Sequence, residues 1–278
     1  MRRTLLVLVP TAALVAMLAA GCGGSSSKSS SPTTTAKPAV ATAPTKTPGT
    51  LLVGAEFPAQ GFLNLPRTNP TGFEADVANE IAKRLKLSKV VWAETPFTSL
   101  FSPAPKKFDF DINEITITPE RQKVVDFSVP YFDANQGLLV HKGTPIEKAK
   151  TIADLKPYLF GGQATTTGLD FIKNKIKPTK PPREYSTTTA AAQALVVKQI
   201  EAFVIDVPIA AAIQKQFPKD VVQTGQFVTN EKYGILFEKG SKLVPFVDQA
   251  ITAMKADGTL QKLQDKWFPG TTKLPEIK

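Results

Sequence analysis

FDFDINEITITPERQKVVDFSVPYF, residues 108–132, places two threonines and an arginine where a strand hands over to a helix. Phe108–Asn113 reads as the strand. Thr118 followed by Pro119 is a helix N-cap with proline at the first helical position, where its missing N–H costs nothing. Arg121 then falls in the first turn. A helix start offers unpaired N–H groups and partial positive charge, and a guanidinium beside it can grip a carboxylate through two parallel hydrogen bonds. Two arrangements satisfy this stretch taken alone: an anion clamp built on Arg121, or a capped surface helix in which Arg121 pairs with Glu120 or Asp126.

Strands and helices alternate on both sides of this stretch, which predicts an α/β architecture. Leu51–Ala55 is a short apolar strand. Gly72–Leu87 is a helix with Phe73, Val77, Ile81 and Leu85 four apart on one face. Lys89–Ala93 is a further strand, and Pro119–Val125 is the clamp helix. The same grammar then repeats. Gly161-Gly162 leads into a second threonine-rich turn, Ala164–Thr167, before an apolar helical pattern at Leu169, Ile172 and Ile176. Thr167 with Asp170 has the spacing of a capping box. Ala190–Gln199 is helical, Ala202–Ile205 is a buried strand, and Asp206 stands at its carboxyl end before Pro208 opens another helix. In open α/β sheets ligands bind outside the carboxyl ends of strands, so Asp206 either faces a crevice or caps the helix that follows. Ser241–Lys255 and Thr259–Phe268 are helices whose apolar residues, Trp267 included, belong to the core.

The N-terminal region speaks of location. Arg2 and Arg3, an apolar run from Leu5 to Ala20 and small residues before Cys22 form a secretory signal over residues 1–21. Cys22 is the only cysteine, which excludes an internal disulfide. Its setting, Leu18-Ala19-Ala20-Gly21-Cys22, resembles the lipobox of bacterial lipoproteins, apart from alanine at residue 19 where leucine is usual. Residues 22–48 are Ser, Thr, Pro, Ala and Lys with almost nothing large and apolar, and are expected to form a disordered, lipid-anchored tether. Its mean reach is about 30 Å by random-coil scaling. The formal charge of +10 becomes +8 without Arg2 and Arg3 (10 − 2), and comes from lysines scattered over helical segments. No dense basic run with interleaved aromatics is present, so nucleic acid is not the expected partner. A single histidine, His141, the single cysteine and the lack of a GxSxG motif argue against metal or serine-nucleophile chemistry, and no cofactor is expected.

An arginine with threonines at one helix start, a second threonine-rich helix start and a carboxylate at a strand end suit one kind of ligand. The cation and dipoles fit a carboxylate and Asp206 fits an ammonium; a free amino acid carries both. These residues resemble the family 3 extracellular solute-binding proteins, which deliver amino acids to ABC importers. Gly72-Phe73-Glu74-Ala75-Asp76-Val77, the stretch DFDINEITITPERQKVVDFSVPY, and Lys266-Trp267-Phe268 each resemble a signature of that family.

The resemblance implies a two-lobed, periplasmic-binding-protein-like fold of type II. Lobe one would contain residues 49–132 and 234–278 and lobe two residues 138–228, with hinge segments near 133–137 and 229–233. It gives Arg121 the α-carboxylate, Thr116 a share of the ligand backbone, Thr167 with Thr166 the same carboxylate from lobe two, and Asp206 the α-ammonium. Phe97 becomes an aromatic wall and Phe57 a second one, while Thr118 caps the clamp. Two positions depart from the family pattern. Thr165 stands where glycine is usual. Glu114 stands where a small residue is usual, and either adds charge for a basic side chain, shares the ammonium with Asp206, or points away into solvent. Glu56 reads as a solvated surface acid or as part of an acidic side-chain pocket. His141 is expected to be exposed beyond the first hinge. The implied partners are a free polar or charged amino acid and the membrane permease of an ABC importer, approached from the outer face of the bacterial cytoplasmic membrane by an anchored monomer. A periplasmic dehydratase of the cyclohexadienyl dehydratase type, with Glu114 as general acid, and a sensor that presents ligand to a receptor are the alternatives. If Cys22 carries the lipid, Cys22→Ser moves the mature chain from the membrane fraction to the soluble extracytoplasmic fraction on cell fractionation.

Overall fold

The computed structural model describes residues 42–59, 61–269 and 274–278. The signal, Cys22 and most of the tether lie outside these residues. Among the described residues no helix is long and apolar enough to cross a membrane.

The chain begins with β1 (Thr50–Ala55), α1 (Phe73–Arg84), β2 (Lys89–Glu94), β3 (Phe110–Asp111), α2 (Pro119–Gln122) and β4 (Val125–Phe127). It crosses through β5 (Phe132–His141) to α3 (Ile152–Leu155), β6 (Phe160–Gln163), α4 (Thr167–Phe171), β7 (Arg183–Tyr185), α5 (Thr188–Val196), β8 (Ala202–Asp206) and α6 (Val207–Gln216). It returns along β9 (Val221–Tyr233) to β10 (Leu236–Glu238), α7 (Val244–Ala256) and α8 (Thr259–Trp267). The strands make two mixed sheets, ordered β2-β1-β3-β10-β4 and β7-β6-β8-β5-β9, one for each of two lobes. β5 and β9 pair antiparallel from Phe132↔Tyr233 to His141↔Val221, with a register shift between Ala134 and Gln136. Asn135 fills that irregularity, its Oδ1 accepting from the backbone N–H groups of Thr229 and Asn230 at 3.1 and 3.0 Å.

Several elements are shorter than the periodicity predicts, each for a local reason. Gly72 sits at φ 137°, where a Cβ would lie 2.0 Å from the Phe62 carbonyl oxygen, so α1 starts only at Phe73. The clamp helix stops at Gln122 because Val125 is taken into β4, paired with Glu238. β3 keeps two residues because the Asp109 carboxylate is occupied by the N–H groups of Lys46 and Leu52, at 2.6 and 2.7 Å. α5 starts earlier than its apolar run because Thr187 caps it through Ala190 N at 3.1 Å.

Burial on both faces explains the continuous apolar reading of β8. Ala202 and Val204 pack with Leu138, Phe160 and Leu169 on one side, while Phe203 and Ile205 pack with Leu139, Leu195 and Ala210 on the other. In the first lobe Phe62, Phe73, Phe132, Tyr233 and Phe268 form an aromatic cluster, with Phe62 and Phe268 centred 4.7 Å apart. Trp267 packs partly buried beside it and donates from Nε1 to Asp76 at 2.7 Å. His141 ends β5 half-buried rather than exposed. The final residues also differ from expectation. They pair with the second lobe: Gln226 N donates to Pro275 O at 2.9 Å, Ile277 N to Gln226 O at 2.9 Å, and the Ile277 side chain enters that lobe's core.

Gly168 lets α4 lie directly on β8, since a Cβ there would come within 2.4 Å of the Val204 carbonyl oxygen. Gly168→Ala is expected to destabilise the fold by about 1–3 kcal/mol, the usual range for overpacking, measured by urea unfolding.

Candidate functional site

Arg121 is fixed by local chemistry first. Thr118 has extended backbone and accepts from Arg121 N at 3.2 Å, and Pro119 fills the first turn. The hydroxyl of Thr118 is therefore spent on the cap, and Thr118 does not reach the cleft lining. The Arg121 side chain turns inward and is only 8% exposed. Its Nη1 donates to Thr116 O at 2.7 Å and its Nη2 to Thr165 O, on the second lobe, at 2.9 Å. The guanidinium lies over the rings of Phe101 and Phe97, 4.4 and 5.6 Å from their centroids. Neither Glu120 nor Asp126 is its partner: Glu120 is exposed and Asp126 pairs with Lys239 at 2.8 Å. Burial draws the Arg121 pKa down to about 10, which still leaves it charged at neutral pH.

Arg121 belongs to a cleft lined from both lobes by, among others, Glu56, Phe97, Glu114, Thr116, Thr166, Thr167 and Asp206. The cleft takes in about 820 Å³, including space open to solvent at its mouth. Asp206 ends β8 and precedes α6 but makes no side-chain cap bond. Its carboxyl instead accepts from Gln136 Nε2 at 3.2 Å. Burial, and then the nearby Glu231 carboxylate, push the Asp206 pKa up to about 7 against the opposing pull of Tyr233 and Arg121.

The threonine turn is shifted by one residue from the expected frame. Thr166, not Thr167, caps α4, accepting from Leu169 N at 3.2 Å and donating to Gln163 O at 2.8 Å. No capping box with Asp170 forms. Thr167 is left free to donate to Glu231 Oε2 at 2.8 Å, and Thr116 donates to the same oxygen at 2.7 Å. Thr165 adopts φ 67° and Glu114 φ 47°. Both unusual residues thus occupy left-handed backbone, which costs roughly 1–2 kcal/mol without glycine.

Glu114 does not point into solvent. Its N–H donates to Glu74 Oε1 at 2.8 Å, and its own Oε1 is buried. Burial and the Glu74 charge hold Glu114 well above the usual carboxylate range, and burial raises Glu74 to about 7. Tyr131 donates its hydroxyl to Glu74. Glu56 is not a solvated surface acid either. It accepts from Phe97 N and, across the lobes, from Gln163 Nε2, both at 2.9 Å. Phe57 is absent from the cleft wall because it turns under β1 and packs edge-on against Trp92, with centroids 6.0 Å apart.

Gln136, Glu231, Glu74 and Gln163 escaped the sequence reading. Gln136, fully buried beside the apolar run Leu138–Val140, carried the one visible signal: a polar residue at the end of a core strand.

Fold and cleft define a two-lobed α/β solute-binding protein. The chain belongs to the bacterial extracellular solute-binding proteins, family 3, which it matches over residues 50–270. It is 33% identical over 226 residues to the L-cystine-binding protein TcyJ of Escherichia coli (strain K12), covering 80% of this chain and 84% of that one. It is 31% identical over 224 residues to the ABC transporter glutamine-binding protein GlnH of Bacillus subtilis (strain 168), with 79% and 78% covered. Among solved structures, an ancestral arginine-binding protein bound to arginine superposes with a TM-score of 0.71 at 36% identity, covering 79% of this chain and 98% of that one.

Asp206, Glu74, Glu114 and Asp111 all have raised pKa values, so the folded state binds more protons than the unfolded state in mildly acidic solution. Stability then falls as pH rises from about 4 towards 7. For Asp206 alone, moving from 3.8 to about 7 corresponds to about 4 kcal/mol. Thermal melts between pH 5 and 8 should show the melting temperature falling with pH, with a shallower slope in Asp206→Asn.

Proposed function

We propose that this chain binds a free polar or charged amino acid between its lobes and hands it to the membrane permease of an ABC importer, on the extracytoplasmic side. The observation that carries this is a buried arginine and a buried carboxylate facing one cleft from opposite lobes. Arg121 suits an α-carboxylate, since a guanidinium retains free N–H donors after two backbone bonds. Asp206 suits an α-ammonium, and binding one shifts its proton equilibrium towards the ionised form. Phe97, which supports the guanidinium, forms one wall. Each lobe supplies part of the shell, so a ligand that touches both favours their closure by its differential contacts.

The hinges are assigned near residues 133–137 and 229–233. Support comes from the register shift after Ala134 and from Asn230, whose φ of 52° marks a break in regular strand geometry. Anchorage through Cys22 and a monomeric state complete the proposal. The named relatives are amino-acid-binding proteins, including one of an ABC transporter, and the binding role is preferred over catalysis.

Removing one partner of a buried charge pair costs about 2–5 kcal/mol. A thermal-shift screen of the twenty amino acids with L-cystine, L-ornithine and L-citrulline identifies the ligand. Calorimetry with that ligand should then find Arg121→Ala weaker by roughly 30-fold to several thousand-fold, whereas equal affinities would remove Arg121 from the site.

A further inference from the structure

Glu231 belongs to β9 and lies outside the cleft lining, yet it holds two side chains that form that lining. Thr116, from the first lobe, and Thr167, from the second, both donate to Glu231 Oε2, at 2.7 and 2.8 Å. The other carboxylate oxygen accepts from Gln136 Nε2 at 2.9 Å, and that nitrogen also lies 3.2 Å from Thr167 Oγ1 and from Asp206 Oδ1.

A hydroxyl has one hydrogen and two lone pairs. Once the hydrogen is given to Glu231, the hydroxyl offers the cleft only lone pairs. Thr116 keeps two, and Thr167 keeps at least one, since the two hydrogens of Gln136 Nε2 are shared among Glu231, Asp206 and Thr167. Together with the Asp206 carboxylate these make three acceptors and no hydroxyl donor on one side of the cleft. A carboxylate gains nothing from the two hydroxyls in that state, whereas an ammonium, with three N–H groups, is matched.

We propose that Glu231 is a positioning residue: by holding the hydroxyl hydrogens of Thr116 and Thr167 it makes both side chains acceptors and assigns that side of the cleft to the ligand's ammonium. The inference rests on the amino-acid-binding reading and deepens it. It moves the Thr167 hydroxyl from the α-carboxylate, where family resemblance would put it, to the α-ammonium, and leaves the carboxylate to Arg121. Glu231 acts through geometry and hydrogen polarity and need not touch the ligand.

Glu231→Gln tests this, because an amide of nearly the same shape presents an N–H₂ edge that can donate to a threonine oxygen and free its hydrogen to turn into the cleft. Calorimetry on the full chain compares the amino acid ranked first in the thermal screen with its des-amino analogue, which keeps the carboxylate and side chain; for L-arginine the analogue is 5-guanidinopentanoate. Losing hydrogen bonds to a charged group predicts about a tenfold to hundredfold loss for the amino acid, and a loss for the analogue below about threefold. A merely structural role for Glu231 would weaken both ligands alike. Equal losses, no loss, or a gain in affinity would overturn the assignment. Should Glu231→Gln not fold, Thr167→Val deletes one hydroxyl at similar volume and must show the same selective loss. A wild-type chain that binds no amino acid would overturn the reading beneath the inference; a wild-type chain that binds, with variants that lose both ligands equally, would overturn the role of Glu231 alone.

Discussion

A guanidinium removed from water must find acceptors in the protein, and Arg121 finds a carbonyl in each lobe, Thr116 O and Thr165 O. Leaving such a charge unmatched costs several kcal/mol, so the surrounding structure is constrained to supply these groups together. Thr118 and Pro119 fix the start of α2, the rings of Phe97 and Phe101 cover the faces of the cation, and the left-handed turn at Thr165 brings its carbonyl across the cleft. The lobes meet where this charge is satisfied. Glu56 with Gln163 supplies a second polar contact between them.

Beneath the cleft the chemistry is reversed, because the ionisable groups buried there are carboxyls. Burial raises the pKa of Glu74, Glu114 and Asp111, so each keeps its proton to higher pH than a solvated carboxyl does, which lowers the cost of an isolated charge in a dry interior. The signature around Phe73 gains a physical meaning from this arrangement. Phe73 enters the aromatic core, Glu74 grips the turn at Glu114, and Asp76 ties α1 to α8 through Trp267 and Lys266. Three near neighbours in sequence thus serve three separate contacts, one of which props up the wall of the cleft. The left-handed turns at Glu114 and Thr165 show that both rims are built at some cost in backbone freedom.

The parts of this molecule legible in its sequence are those decided locally. Helix α1 announces itself because Phe73, Val77 and Ile81 recur on one buried face, and β8 because every residue from Ala202 to Asp206 is buried. Arg121 is legible because a capping threonine and a proline locate the turn on which it stands. Thr165, Thr166 and Thr167 are consecutive and chemically alike, so spacing cannot say which one caps α4; the packing of Gly168 against Val204 sets the frame. Phe57 is assigned to a wall by likeness of position, and only the pairing of β1 with β2 brings Trp92 underneath it. Gln136 and Glu231 lie 95 residues apart and meet because β5 and β9 pair. No short-range pattern encodes such a meeting.

The chain's last residues have a consequence for its solution behaviour. β9 is the outermost strand of its sheet, and an uncovered outermost strand offers a row of free N–H and C=O groups to any other strand that drifts against it. Pro275 and Ile277 bond to Gln226 on that strand, and Ile277 packs so closely that Gly225 could not carry a side chain without displacing it. The tail is therefore a built-in guard against strand-to-strand aggregation.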